Sequence, residues 1–115
     1  MANSIEQKLL RIKKGELKAA ENVKGLLNVI RKSNGKVNAL LHVNENAVAE
    51  AEAVDKKLKS GKAGKLAGLG IVVKSNISVT GLPVNCASKT LENYQGTFDA
   101  DVVAAIRRED GIIIG

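Results

Sequence analysis

Lys74 is the residue whose type and setting could do the most chemistry. It follows Leu69-Gly70-Ile71-Val72-Val73, an apolar run with three successive β-branched residues, and precedes Ser75 and Asn76. Such a run reads as a buried strand. A cation at the end of a buried strand is costly unless it is paired or neutral. Burial lowers a lysine's pKa, which suits the amine to act as a base near neutral pH. The ends of strands in α/β sheets are also where ligands sit. The residues alone leave a second reading open, a lysine whose stem packs on apolar surface while its ammonium reaches water.

Cys86-Ala87-Ser88 is the other candidate. Small side chains let backbone come near a ligand, so these three could line a pocket. The same residues fit a tight turn into a short helix over 89–94. Cys86 reads as a small packing residue, because no histidine base is in sight for it. His42 is the only histidine, has no partner at nearby spacing and reads as a structural or surface residue. A single cysteine and a single histidine argue against a disulfide scaffold and a structural zinc site, so no metal is expected.

Lys74-x-Asn76-Ile77 is preceded by Leu66-Ala67-Gly68. It is followed by Gly81, by Cys86-Ala87-Ser88-Lys89-Thr90-Leu91, by Phe98-Asp99-Ala100-x-Val102-Val103, and by Gly111-Ile112-Ile113-Ile114-Gly115. This order and spacing resemble the N-terminal part of the amidase signature family, most strongly from Leu66 onward. Within the family the likeness is greatest to the glutaminase subunit of tRNA-dependent amidotransferases, and Ser75 and Ser88 resemble its archaeal branch. The resemblance implies that Lys74 is the base of a Ser–cis-Ser–Lys triad and that the 86–88 loop lies close to it. It implies glutamine as substrate, the other subunits of the complex as partners, and tRNA met only through that complex. ATP and magnesium would be used by a partner subunit, with no cofactor in this chain.

The resemblance also shows what is missing. The serines are Ser4, Ser33, Ser60, Ser75, Ser78 and Ser88, and none lies in a Gly-Gly-Ser-Ser-like run. Neither serine of the triad is therefore present. Ser75 stands where many family members carry aspartate, and on a strand it points away from Lys74's side. The chain reads as cut short and inactive alone, with strand edges and apolar faces left open to association.

The elements that must position Lys74 follow from periodicity. Ile5, Leu9 and Ile12 predict a helix over 4–13 with Ser4 as N-cap. Leu17, Ala20, Val23, Leu27 and Ile30 predict a second helix over 16–32, closed by Asn34-Gly35. Residues 37–43 read as a short strand. Ala47, Ala51, Val54 and Leu58 form the buried stripe of a third helix over 45–59. Ser60 to Lys65 lacks phosphate-loop spacing and reads as a flexible linker. Asp99 is expected to cap a helix over 100–109 with Val102, Val103 and Ile106 inward, ended by Gly111, before a buried strand at 112–114. The fold class is α/β in one domain: a helical hairpin over 1–36, then, over 37–115, the start of a mixed sheet flanked by helices, a partial amidase-signature fold.

The formal charge is +6, and the whole excess lies in residues 1–38, which hold nine Lys or Arg against three Asp or Glu. The resemblance also leaves open another amidase-family amide as substrate; a basic helix pair makes a small RNA-binding module a competing reading, and subunit docking without catalysis a further one. Scarce aromatics and the lack of an RNA-binding motif weigh against the RNA reading. With no apolar run long enough to span a bilayer and no signal-peptide core, the expected setting is cytoplasmic, away from membranes.

Overall fold

A computed structural model gives the fold of the chain, and residues 4–115 are described. Four helices and two strands follow in the order α1 (Ile5–Lys13), α2 (Ala19–Val37), α3 (Ala47–Lys59), β1 (Gly70–Ile71), α4 (Asp101–Arg108) and β2 (Ile112–Ile113). A single 3-10 turn, Lys89–Leu91, stands where the 89–94 helix was expected.

Ser4 caps α1 as expected, its hydroxyl accepting the Gln7 N–H while the Gln7 side chain accepts the Ser4 N–H. Of the three apolar positions, Ile12 is buried and Leu9 half-buried, whereas Ile5 faces solvent. α2 does not stop at Asn34-Gly35. It runs to Val37 and ends at Asn38, which takes the left-handed conformation (φ 50°) and donates its N–H to the Asn34 carbonyl. Asn34 stays helical, and its side-chain amide both donates to and accepts from the Leu40 backbone at 2.8 Å. That pairing takes the groups a strand would need, so 38–44 is irregular and the expected 37–43 strand is absent.

α2 packs chiefly against α3 rather than α1. The carboxylate of Asp55, on α3, accepts the N–H groups of Ala19 (2.7 Å) and Ala20 (3.1 Å) and so caps α2 from a neighbouring helix. An orphan helix N-terminus is satisfied and its positive end neutralised in one contact. Asp55→Ala is expected to cost about 1 kcal/mol, read as a lowered urea midpoint with unchanged slope.

α3 begins at Ala47, two residues after the expected start at 45. Asn44 is buried, its N–H bonded to the Ile114 carbonyl and its Nδ2 to the Ile113 carbonyl. It therefore ties the 38–44 segment to β2. Ala47, Ala51 and Val54 are buried as expected, and the alanines let the helix lie close to the sheet.

β1 and β2 are parallel, with Gly70 opposite Ile112 and Ile71 opposite Ile113. Their hydrogen bonds reach beyond the two-residue strands, from the Leu69 carbonyl to the Val73 N–H. Side chains alternate faces along a strand. Ile112 and Ile114 accordingly meet α2 and α3, while Ile113 meets Val79 and Val103. Burial on both faces explains the unbroken isoleucine run and makes the unit a layered α/β fold.

The far end of α4 departs from expectation. Asp110, not Gly111, takes the left-handed position (φ 62°). Its buried carboxylate accepts Lys57 Nζ and the Gly64 N–H, both at 2.7 Å. Glu109 accepts the Lys65 N–H through its side chain and the Leu66 N–H through its carbonyl. Gly64 lies so close to Glu109 that an added Cβ would stand 2.5 Å from its Cα. Ser60 to Lys65 is thus no free linker, because its second half is clamped to the turn that leads into β2.

Large apolar side chains remain outside, among them Val37, Val72, Phe98 and Val102. Of the three α4 residues expected to face inward, Val103 is buried and Ile106 half-buried, but Val102 is exposed. Among the described residues no helix is long and apolar enough to cross a membrane.

Candidate functional site

β1 delivers Lys74 to the mouth of a cleft. Val73 closes the ladder by donating to the Gly115 carbonyl (3.0 Å), and Lys74 then starts a turn, its carbonyl accepting the Ile77 N–H (3.0 Å). The cleft holds about 360 Å³ and is walled by 39–42, 72–75, Ile77, Val79, Leu82, Pro83 and Gly115. Lys74 lines it, as does Ser75, but Lys74 is exposed rather than buried. The apolar strand that precedes a lysine therefore does not by itself bury the lysine's head.

Cys86, Ala87 and Ser88 do not line this cleft; Cys86 and Ala87 are exposed. They lie beside it, because the Cys86 N–H donates to the carbonyl of Ser75 at 3.3 Å. The turn itself is unusual. Cys86 (φ 49°) and Ala87 (φ 57°) are both left-handed although neither is glycine. That conformation costs on the order of 1 kcal/mol per residue. Asn85 holds it, accepting the Ala87 N–H on Oδ1 (2.9 Å) and the Ser88 N–H on its carbonyl (2.7 Å).

Two residues of the site were not foreseen in this role. His42 is exposed, as a surface residue would be, yet it also lines the cleft, and buried Asn85 lies next to it, Nδ2 to Nε2 at 3.4 Å. They are 43 residues apart in sequence, so no local spacing links them.

The loop after Lys74 is pinned farther out by Asp99. This residue does not cap α4; Ala100 stands at that position. Asp99 accepts the Thr80 N–H at 2.8 Å and lies 3.5 Å from Arg107 Nε, an ion pair without the alignment of a hydrogen bond. The Thr80 backbone bond holds the Asp99 carboxyl below its ordinary pKa of 3.8, burial opposing it and the Thr80 side chain and Arg107 assisting. The ionised form therefore favours the folded chain above the ordinary carboxylate range, and that contribution is lost as pH falls through the depressed folded value. In urea unfolding across pH, the stability advantage over Asp99→Asn should be full at neutral pH and vanish in acid.

The sequence model of the amidase family matches residues 21–115. The chain is 52% identical over 106 residues to a subunit of glutamyl-tRNA(Gln) amidotransferase from Methanothermobacter thermautotrophicus, covering 90% of this chain and 23% of that protein. It is 47% identical over 103 residues to the protein of the same name from Chlamydia pneumoniae, covering 88% of this chain and 21% of that one. The chain thus spans roughly a quarter of the length of these relatives. Among solved structures, peptide amidase from Stenotrophomonas maltophilia superposes with a TM-score of 0.90 at 22% identity, over 97% of this chain and 24% of the amidase. An amidase family protein from Bacillus anthracis gives 0.89 at 23% identity, over 97% of this chain and 23% of its own. At such identity these two likenesses speak to the fold.

Proposed function

This chain belongs to the amidase family, and from that premise we propose that it is the lysine-bearing portion of the glutaminase subunit of a tRNA-dependent amidotransferase. The observation that carries the reading is the placement of Lys74. It ends a parallel strand on a cleft, one residue from the carbonyl that holds the 85–88 turn, within a sequence half identical to a named amidotransferase subunit.

In the proposed reaction the Lys74 amine takes the proton of a bridging serine as that serine takes the proton of a nucleophilic serine. The nucleophile's oxygen bonds to the side-chain carbonyl carbon of glutamine. Collapse breaks the carbon–nitrogen bond, the proton returns along the same relay, and ammonia leaves. Water then cleaves the ester to glutamate. Backbone N–H groups would hold the oxyanion meanwhile. Both serines must come from outside residues 1–115, and so must whatever covers the exposed amine, since a general base has to be uncharged to accept a proton.

Ammonia would serve a partner subunit that uses ATP and magnesium to activate Glu-tRNA(Gln) or Asp-tRNA(Asn), in the cytoplasm. This chain would hold no cofactor of its own and meet tRNA only through the complex. The test is glutamine hydrolysis by the purified 115-residue chain. No turnover is expected. Turnover that Lys74→Ala abolishes would show that the chain supplies its own nucleophile and would overturn the division of labour proposed.

A further inference from the structure

The proposed chemistry gives no part to His42, which lines the cleft, or to Asn85, which lies behind it, outside the lining. Asn85 is 8% exposed, and its Oδ1 is committed to the Ala87 N–H. That bond fixes the amide's orientation, because the flipped amide would set two donors against each other. Nδ2 is therefore the atom that faces His42 Nε2 at 3.4 Å. An amide nitrogen only donates, so a hydrogen bond here requires Nε2 as acceptor and the ring proton on Nδ1. The backbone behind the ring is fixed as well: the His42 carbonyl lies against Gly115 so closely that a Cβ there would collide with it.

We propose that His42 and Asn85 are a positioning pair. The ring anchored on the 38–44 segment holds the Asn85 amide. Asn85 holds Cys86 and Ala87 in their left-handed conformation. Cys86, through its N–H, holds the carbonyl of Ser75, the residue that follows Lys74. Two segments far apart in sequence are thereby clipped across the cleft, and the lysine's backbone is set by a chain of contacts rather than by the sheet alone. The consequence for catalysis rests on the proposed function; the contacts do not.

The test uses the 115-residue chain. Imidazole 15N spectra at neutral pH should show the Nδ1–H tautomer with Nε2 as acceptor. In His42→Ala, amide hydrogen exchange at Cys86, Ala87 and Ser88 should quicken about fivefold, the effect of one lost hydrogen bond. Protection across α2 and α3 should stay unchanged, which separates loss of the clip from loss of the fold. His42→Gln offers an acceptor at similar reach and should restore most of the protection. Asn85→Asp keeps the acceptor for Ala87 but turns an acceptor toward the ring, so it should move the ring proton to Nε2 and keep part of the protection. An Nε2–H tautomer in the unaltered chain overturns the proposal. So does His42→Ala with unchanged exchange, or His42→Gln exchanging as fast as His42→Ala. None of these readouts depends on glutamine hydrolysis, so failure of the enzymatic reading would leave them standing.

Discussion

Lys74→Met is expected to lower the proposed glutamine turnover at least about a thousandfold when residues 1–115 replace the matching segment of the Methanothermobacter relative. Removing a positioned general base costs on the order of 10²–10⁴ in rate. A group that works only as part of a relay falls toward the upper end, because the remaining members cannot act without it. A thousandfold is about 4 kcal/mol of transition-state stabilisation. The loss should fall on kcat, with KM little changed. In the 115-residue chain, where the side chain is exposed, the same substitution should change stability by less than about 0.5 kcal/mol in urea unfolding. Lys74→Arg should be no better than Lys74→Met, because a guanidinium does not give up its proton. Steady-state kinetics of the three chimeras, beside urea unfolding of the 115-residue chain, check each clause.

Asp110→Ala carries the largest expected loss of stability, about 3 kcal/mol. Three effects combine. The Gly64 N–H loses its buried acceptor, worth roughly 1–3 kcal/mol. Alanine is forced to hold φ near 62°, on the order of 1 kcal/mol. The Lys57 ion pair adds little, since the lysine side chain is 55% exposed. For a chain of this size the change corresponds to a fall in Tm of about 12 °C or more. Asp110→Asn separates the causes. Asparagine tolerates the left-handed conformation and keeps an acceptor for Gly64, so it loses only the ion pair and should cost under about 1 kcal/mol. Thermal melts of the 115-residue chain with each substitution measure this, and equal losses in the two variants would rule out the clamp.

What could be read from the sequence was whatever local pattern decides. The isoleucines at 112–114, the alanine stripe of α3 and the Ser4 cap all follow from periodicity and neighbouring residues. So does the course of the chain that brings Lys74 to a strand end. What could not be read depends on partners distant in the chain. Asn34 turned an apparent strand into an irregular segment by taking Leu40's backbone groups. Asp99 looked like a cap and instead holds Thr80. Asp110 carried no local signal at all, yet joins α3, the 60–65 loop and the entry to β2. His42 seemed isolated because Asn85 is far along the chain. Which of the two readings of Lys74 holds, buried amine or ammonium in water, was left open for a related reason, and in this chain the second does. An apolar strand fixes where the lysine's backbone runs, whereas cover for its amine depends on what closes the cleft.

The central claim is that the Lys74 amine exchanges protons with a serine supplied from beyond residues 1–115. A crystal structure of the unaltered chimera tests it at one distance, from Lys74 Nζ to the nearest serine Oγ outside this segment. The account predicts a hydrogen bond of about 2.6–3.2 Å, with the 85–88 turn beside it. An amine turned to solvent in a chimera that hydrolyses glutamine, with no serine within reach, would contradict it.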